Sequence, residues 1–189
     1  MKNLISFLKN DLSLPGNLIP KIIAFYHEET LPKNDFLVKK GQYCSKLCFI
    51  ENGYLRFFTR SEKKTITHWI FGKDQLITDV TSFFLQEPAK WNIQALTDTS
   101  VYTLTSDNYQ KLRREVPEWD HYEKLFLIKL MSALENRVYT LLSMSAEERY
   151  QYLFQSDSNM FNELPLQYLA SMLGMSPETL SRIRSKSIS

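Results

Sequence analysis

The stretch LASMLGMSPETLSRIR, residues 169–184, poses the question on which the fold turns. Two short apolar-patterned pieces flank Gly174, and the second opens with Ser176, Pro177, Glu178 and Thr179. Just upstream, Pro165 suits the first turn of a helix, where its missing N–H costs nothing. Leu166, Leu169, Ala170 and Leu173 follow at i, i+3, i+4 and i+7, one face of that helix. Gly174 accepts the left-handed conformation that ends it. Ser176 then caps a second helix, with Pro177 at its first position and Glu178 in its first turn. Leu180 and Ile183 face back toward the first helix, and Ala170 is small where the two would cross.

Two readings fit these residues. One is a plain helical hairpin in a small core. The other is a helix-turn-helix whose second helix lies in the major groove of DNA. Under the second reading Pro177, Glu178, Ser181, Arg182 and Lys186 form the outward face. An arginine there forks onto guanine O6 and N7, and a glutamate accepts from cytosine N4. Gln167, Ser176 and Thr179 suit phosphate contacts.

Working outward, residues 118–144 hold no glycine or proline. Leu127, Met131, Leu134, Val138 and Leu141 repeat at alternating steps of four and three, a heptad seam that keeps one stripe toward a partner helix. Trp119, Tyr122, Phe126, Leu130 and Leu142 form a second apolar flank. One flank would pack on the rest of the chain and the other on a second copy; alternatively the whole stripe is internal core. Ser145 with Glu148 three residues on is a capping box that starts a new helix, running to about Phe154. A turn follows at 157–159, and Met160 and Phe161 resume apolar packing.

The first half of the chain has a different texture. Helical spacing at 4–8 and 18–26 is broken by Pro15, Gly16 and Pro20. Segments 35–40, 46–51, 54–60, 64–71, 91–97 and 100–104 are rich in Phe, Ile, Val, Thr and Tyr and read as strands. Glu51-Asn52-Gly53 reads as a tight hairpin turn, and 61–64 as a second, solvated turn. Strand after strand with short turns predicts a closed antiparallel sheet, a sandwich or a jelly roll. A helix capped near Ser106 runs to about Glu115, before Pro117. The expected fold is α+β: a β-roll with N-terminal helices at 1–117, a long helix at 118–144 and a helix-turn-helix at 145–189.

Composition narrows the function. Of 189 residues 43% are hydrophobic, which excludes a disordered chain. The net charge of +2 means that any basic surface must be local. Cys44 and Cys48 are four apart, on one face if both lie in a strand and too far apart to bridge within it. Two reduced, buried thiols in a cytoplasmic protein are expected. No apolar run approaches the roughly 20 residues of a membrane span, so no membrane partner is expected. His27, His68 and His121 are scattered over helix, strand and long-helix segments, so no metal site is expected. No phosphate loop or nucleophile–base arrangement stands out, so neither an enzyme nor a cofactor is expected.

The order of sheet, long helix and helix-turn-helix resembles the CRP/FNR family of bacterial transcription regulators. Residues 41–53, GQYCSKLCFIENG, are similar to that family's two turn glycines around an apolar strand. Residues 173–183, LGMSPETLSRI, are similar to its recognition-helix motif. The resemblance implies that Glu178 and Arg182 contact bases; a third such position, usually arginine, is Pro177 here. It implies a homodimer on a palindromic operator in double-stranded DNA, with RNA polymerase and a small-molecule effector as further partners. The family's cyclic-nucleotide cassette, a Gly-Glu pair and then Arg-Ser, corresponds to Thr78-Asp79 and Ala89-Lys90, so tight cyclic AMP binding is not expected. Arg56, His68, Asp79, Lys90 and Trp91 are candidates to line another effector pocket. The family's β-hairpin wing has no counterpart in 184–189, which implies fewer phosphate contacts and a smaller salt slope. A ligand-binding or protein-interaction module with no working DNA-binding activity is the alternative.

Overall fold

The structure, a computed structural model, describes residues 1–61 and 64–188. Short helices α1 (Lys2–Ser6) and α2 (Ile19–Ile23) open the chain, with a wider π-type turn at Phe7–Asp11 between them. Strands β1 (His27–Leu31), β2 (Phe36–Val38), β3 (Lys46–Asn52), β4 (Leu55–Arg60), β5 (Thr65–Phe71) and β6 (Leu76–Ile77) follow. Helix α3 (Val80–Leu85), strands β7 (Asn92–Ala95) and β8 (Thr99–Thr105) and helix α4 (Ser106–Glu115) complete the roll. The strands form two antiparallel sheets, ordered β1-β8-β3-β6 and β2-β7-β4-β5. The fold is thus α+β, with antiparallel sheets first and helices after them.

The first sheet is covered on both sides, which explains the unbroken apolar run in β3. Cys48 and Ile50 point between the sheets, toward Leu55, Ile93, Ala95 and Val101. Leu47 and Phe49 point the other way, into a second core made with Leu4, Leu8, Ile22 and Leu112. Period-2 alternation therefore serves two cores at once.

Glu51-Asn52-Gly53 does not close a hairpin. β3 pairs with β6 and β8, whereas β4 pairs with β5 and β7. The turn carries the chain from one sheet to the other. Gly53 has φ +94°, and a Cβ there would lie 2.6 Å from Thr99 Oγ1 and 2.7 Å from the Asp98 carbonyl. An Asn-Gly pair reports a positive-φ corner; which strands flank it in space is decided by long-range pairing.

Other expectations shift locally. His27 opens a strand rather than lying on a helix, and β6 and α3 were not foreseen. Cys44 precedes β3 and only Cys48 lies within it; both are buried and free. The turn at 61–64 falls partly outside the described residues, although Ser61 N–H donates to the Lys64 carbonyl at 2.9 Å.

The last third is helical: α5 (Trp119–Ser143), α6 (Ala146–Ser156), α7 (Met160–Glu163), α8 (Leu166–Leu173) and α9 (Pro177–Ile188). The Ser145–Glu148 capping box is present, with Ser145 N–H donating to Glu148 Oε2 at 2.7 Å. Leu153, Phe161, Leu169, Ala170, Leu173, Leu180 and Ile183 form a third core together with Tyr54, Ile70 and Leu96 of the roll. The C-terminal helices thus sit on the outer face of the second sheet.

Candidate nucleic-acid interface and the mouth of the roll

Helix α8 ends at Gly174 in the left-handed conformation, φ +67° and ψ +37°. Ser176 caps α9, its Oγ accepting from Thr179 N–H at 3.2 Å and lying 3.2 Å from Thr179 Oγ1. Leu180 is fully buried and Ile183 nearly so, both toward α8. This amphipathic division leaves Ser176, Pro177, Glu178, Ser181, Arg182 and Lys186 exposed, with Thr179 half-buried. Gln167 is exposed on α8. The Ser176 hydroxyl, and then its own backbone N–H, hold the Glu178 carboxyl below the usual range, so it stays an acceptor. Arg182, Lys186 and Thr179 line a groove against the start of α6 at Ser145–Glu147.

Helix α5 carries an uncovered apolar stripe. Met131, Leu134, Val138 and Leu141 are exposed, whereas Leu127 is half-buried. Ile128, Tyr139 and Leu142 join the exposed set, Leu142 at 81%. Leu142 therefore leaves the inner flank to which its spacing assigned it. Trp119, Tyr122 and Phe126 keep that flank against the roll.

The candidate effector residues separate into three places. Arg56 lies on the outer face of β4, 4% exposed, under α8. Its guanidinium stacks on Tyr168 at 3.9 Å and Phe58 at 4.3 Å, and Nε donates to Thr67 Oγ1 at 2.9 Å. Burial pushes its pKa down to about 10. His68 and Trp91 instead meet beside Phe57, which packs on the core between the sheets; their ring centres are 4.9 Å apart, with Phe57 5.2 Å from Trp91 and 5.6 Å from His68. Burial, and then the Arg137 charge, lower the pKa of His68.

Asp79 is a buried structural group. Its Oδ1 accepts from Ser82 N–H at 3.0 Å, capping α3, and its Oδ2 accepts from Lys90 N–H at 3.1 Å. Lys90 lies in the loop before β7 and not in a strand. Ala89 is buried, and its backbone pairs with Gln42 and Gly41 at 2.8 Å each. Among the described residues no cluster of His, Cys, Asp and Glu is placed to hold a metal, and no helix is long and apolar enough to cross a membrane.

Sequence reasoning missed the contacts that seat the helix-turn-helix on the roll. Thr67 N–H, on the edge strand β5, donates to Ser171 Oγ at 2.9 Å. Tyr54 OH donates to Asp157 at 3.2 Å. Arg137 donates to the Met172 carbonyl. A signal existed for the last of these. The inner flank of α5 runs Trp119, Tyr122, Phe126, Leu130, and its continuation reaches an arginine.

Residues 28–115 match the cyclic nucleotide-binding domain family. No curated protein matches the chain significantly. Among solved structures, the chain is similar to the c-di-GMP responsive global regulator CLP of Xanthomonas campestris, at 14% identity, 91% coverage of each chain and TM-score 0.67. It is similar to FixK2 of Bradyrhizobium japonicum, at 16% identity, covering 85% of this chain and 83% of that one, TM-score 0.70. It is also similar to the catabolite activator protein of Thermus thermophilus, at 18% identity, covering 95% and 85%, TM-score 0.59. Two facing sheets, a long helix and a capped helical hairpin, in this order and with these likenesses, give the chain a CRP/FNR-like fold in which residues 28–115 match the cyclic nucleotide-binding domain.

Proposed function

We propose that the chain is a sequence-specific DNA-binding regulator that acts as a homodimer and does not respond to cyclic AMP. The observation that carries this reading is the division of α9: Leu180 and Ile183 are spent on the core, while Glu178, Ser181, Arg182 and Lys186 face solvent. Arg182 and Glu178 read base edges; Gln167, Ser176 and Thr179 meet phosphates. The exposed stripe Met131, Leu134, Val138 and Leu141 on α5 supports pairing with a second copy. Two copies present two α9 helices to half-sites about 34 Å apart, so the operator is palindromic. The internally satisfied Asp79 and the methyl group at Ala89 support indifference to cyclic AMP.

A salt-dependent titration on double-stranded fragments of the source genome tests this, comparing wild type with Arg182→Ala. Loss of one forked arginine–guanine contact weakens specific binding by about 10- to 100-fold and leaves the non-specific, salt-sensitive part in place. Absence of specific binding in the wild type, or equal affinity in the variant, overturns the reading.

A further inference from the structure

We propose that Arg137 is the positioning residue that ties the helix-turn-helix to the long helix α5 and so sets the relative pose of two recognition helices. The consequence for DNA rests on the DNA-binding reading above; the geometry stands without it.

The last four carbonyls of an α-helix have no partner within it. In α8 those carbonyls are accounted for one by one. The Ala170 and Ser171 carbonyls accept from Met175 and Gly174 N–H, at 3.0 and 3.2 Å. The Leu173 carbonyl accepts from Arg149 Nε at 2.8 Å. The Met172 carbonyl accepts from Arg137. Two guanidinium groups therefore close the negative end of one helix, where its dipole favours them. They come from different places. Arg149 belongs to α6, inside the C-terminal helices, and its Nη1 also holds the Met144 carbonyl at the end of α5 at 2.7 Å. Arg137 belongs to α5 itself and reaches across.

Arg137 is half-buried, and among the described residues it makes no ion pair with a carboxylate. Its plane lies over Trp69 of β5, 5.2 Å from the ring centre. Carbonyl lone pairs, a helix dipole and an aromatic face are what balance its charge, and all three have fixed directions. A shift of α8 relative to α5 strands the guanidinium. Gly174, two residues beyond Met172, supports the same register: a Cβ there would stand 3.2 Å from Leu141 Cδ2, so the turn into α9 lies against α5. A single arginine thus joins the helix bearing the exposed seam, the edge strand of the roll and the helix that orients the reading head. Lysine could reach the Met172 carbonyl but lacks the plane that stacks on Trp69.

The test uses the full chain as wild type, Arg137→Gln and Arg137→Lys. Hydrogen exchange is read at Thr67 N–H, which is bonded to Ser171 Oγ on α8, and across the roll. Affinity is read on a duplex with two inverted half-sites and on the same duplex with one half-site scrambled. In Arg137→Gln, Thr67 exchanges about tenfold faster or more, the scale of a lost charged hydrogen bond, while β3 and β8 keep their protection. Affinity for the two-site duplex falls about tenfold or more, and that for the one-site duplex by less than about threefold. Arg137→Lys restores part of both. Unchanged exchange at Thr67 overturns the proposal. So does an equal loss on the two duplexes, or a rise in exchange throughout the roll, because each assigns Arg137 to general stability. A wild type that binds no DNA removes the DNA-binding reading alone, and Thr67 exchange still decides the junction.

Discussion

Val138→Asp isolates the seam from the protomer. The Val138 side chain is 55% exposed in one copy. Full burial of a valine is worth about 1.5–3 kcal/mol, so the part left for a partner to cover is worth about 1 kcal/mol per copy and about 2 per dimer. The aspartate removes that term and puts one carboxylate from each copy among Met131, Leu134, Glu135 and Tyr139, the residues that line the concavity around position 138, where it meets the Glu135 carboxylate as well as apolar groups. Partial desolvation of two like charges adds about 1–3 kcal/mol, discounted heavily because the edge of such a seam stays wet. A total of about 3–5 kcal/mol raises the dimer Kd by about 100-fold to a few thousand-fold. Valine and aspartate have similar helix propensities, so the protomer's own melt should move little. Sedimentation equilibrium over a concentration series reads the first effect, and far-UV circular dichroism on heating reads the second. An unchanged Kd refutes the reasoning, and a wild type that stays monomeric at every concentration refutes its premise.

Gly174→Ala forces an L side chain into the left-handed region at a cost of about 1–2 kcal/mol, and differential scanning calorimetry should show Tm about 2–8 °C lower. Burial pushes the Cys48 thiol up to about 12, and Cys44 is buried too, so neither reacts with a thiol reagent at pH 8 until denaturant is added. Fast labelling without denaturant would contradict the packing of the roll. For Glu29, burial raises the carboxyl pKa, but the Lys46 ammonium and the Thr103 hydroxyl outweigh it, and the folded value lies below the ordinary 4.5. Its contribution to stability is complete above pH 4.5 and is lost as pH falls through the folded value. Urea midpoints measured from pH 7 down to pH 3 should therefore fall less steeply in Glu29→Gln than in wild type, and parallel curves would refute the assignment.

Local chemistry made some of this readable in the sequence. Helix α5 declared itself by the absence of Gly and Pro and by its heptads, and α9 by Ser176 and Pro177 at its start. Residues whose role depends on a distant partner were silent. Asn52-Gly53 signals a corner, but nothing local says that the next strand joins another sheet. His27–Leu31 reads HEETL, with little apolar pattern, because β1 lies at a sheet edge and buries only Leu31 deeply. Helix α3, VTSFFL, is built from β-branched and aromatic residues and is stabilised by Asp79 capping it and by Phe83 in the core. Asp79 looked like a remnant of ligand chemistry because its two main-chain donors, Ser82 and Lys90, are visible only in three dimensions. Arg56 and His68 looked like one pocket, and strand alternation with a bulge at Phe57/Phe58 sends them to opposite faces.

Arg56 has a further physical meaning. Its guanidinium makes no ion pair among the described residues and sits between two rings with one hydroxyl on Nε. Dehydrating such a group without a counter-charge is unfavourable, and the rings return only part of the loss. The loss exists only while α8 covers the sheet; when the helix lifts, water rehydrates the cation. The seat of the helix-turn-helix on the roll therefore carries a dehydrated cation as a standing cost against the apolar contacts it shares with Tyr54, Ile70 and Leu96, and a methionine at position 56 would remove that cost.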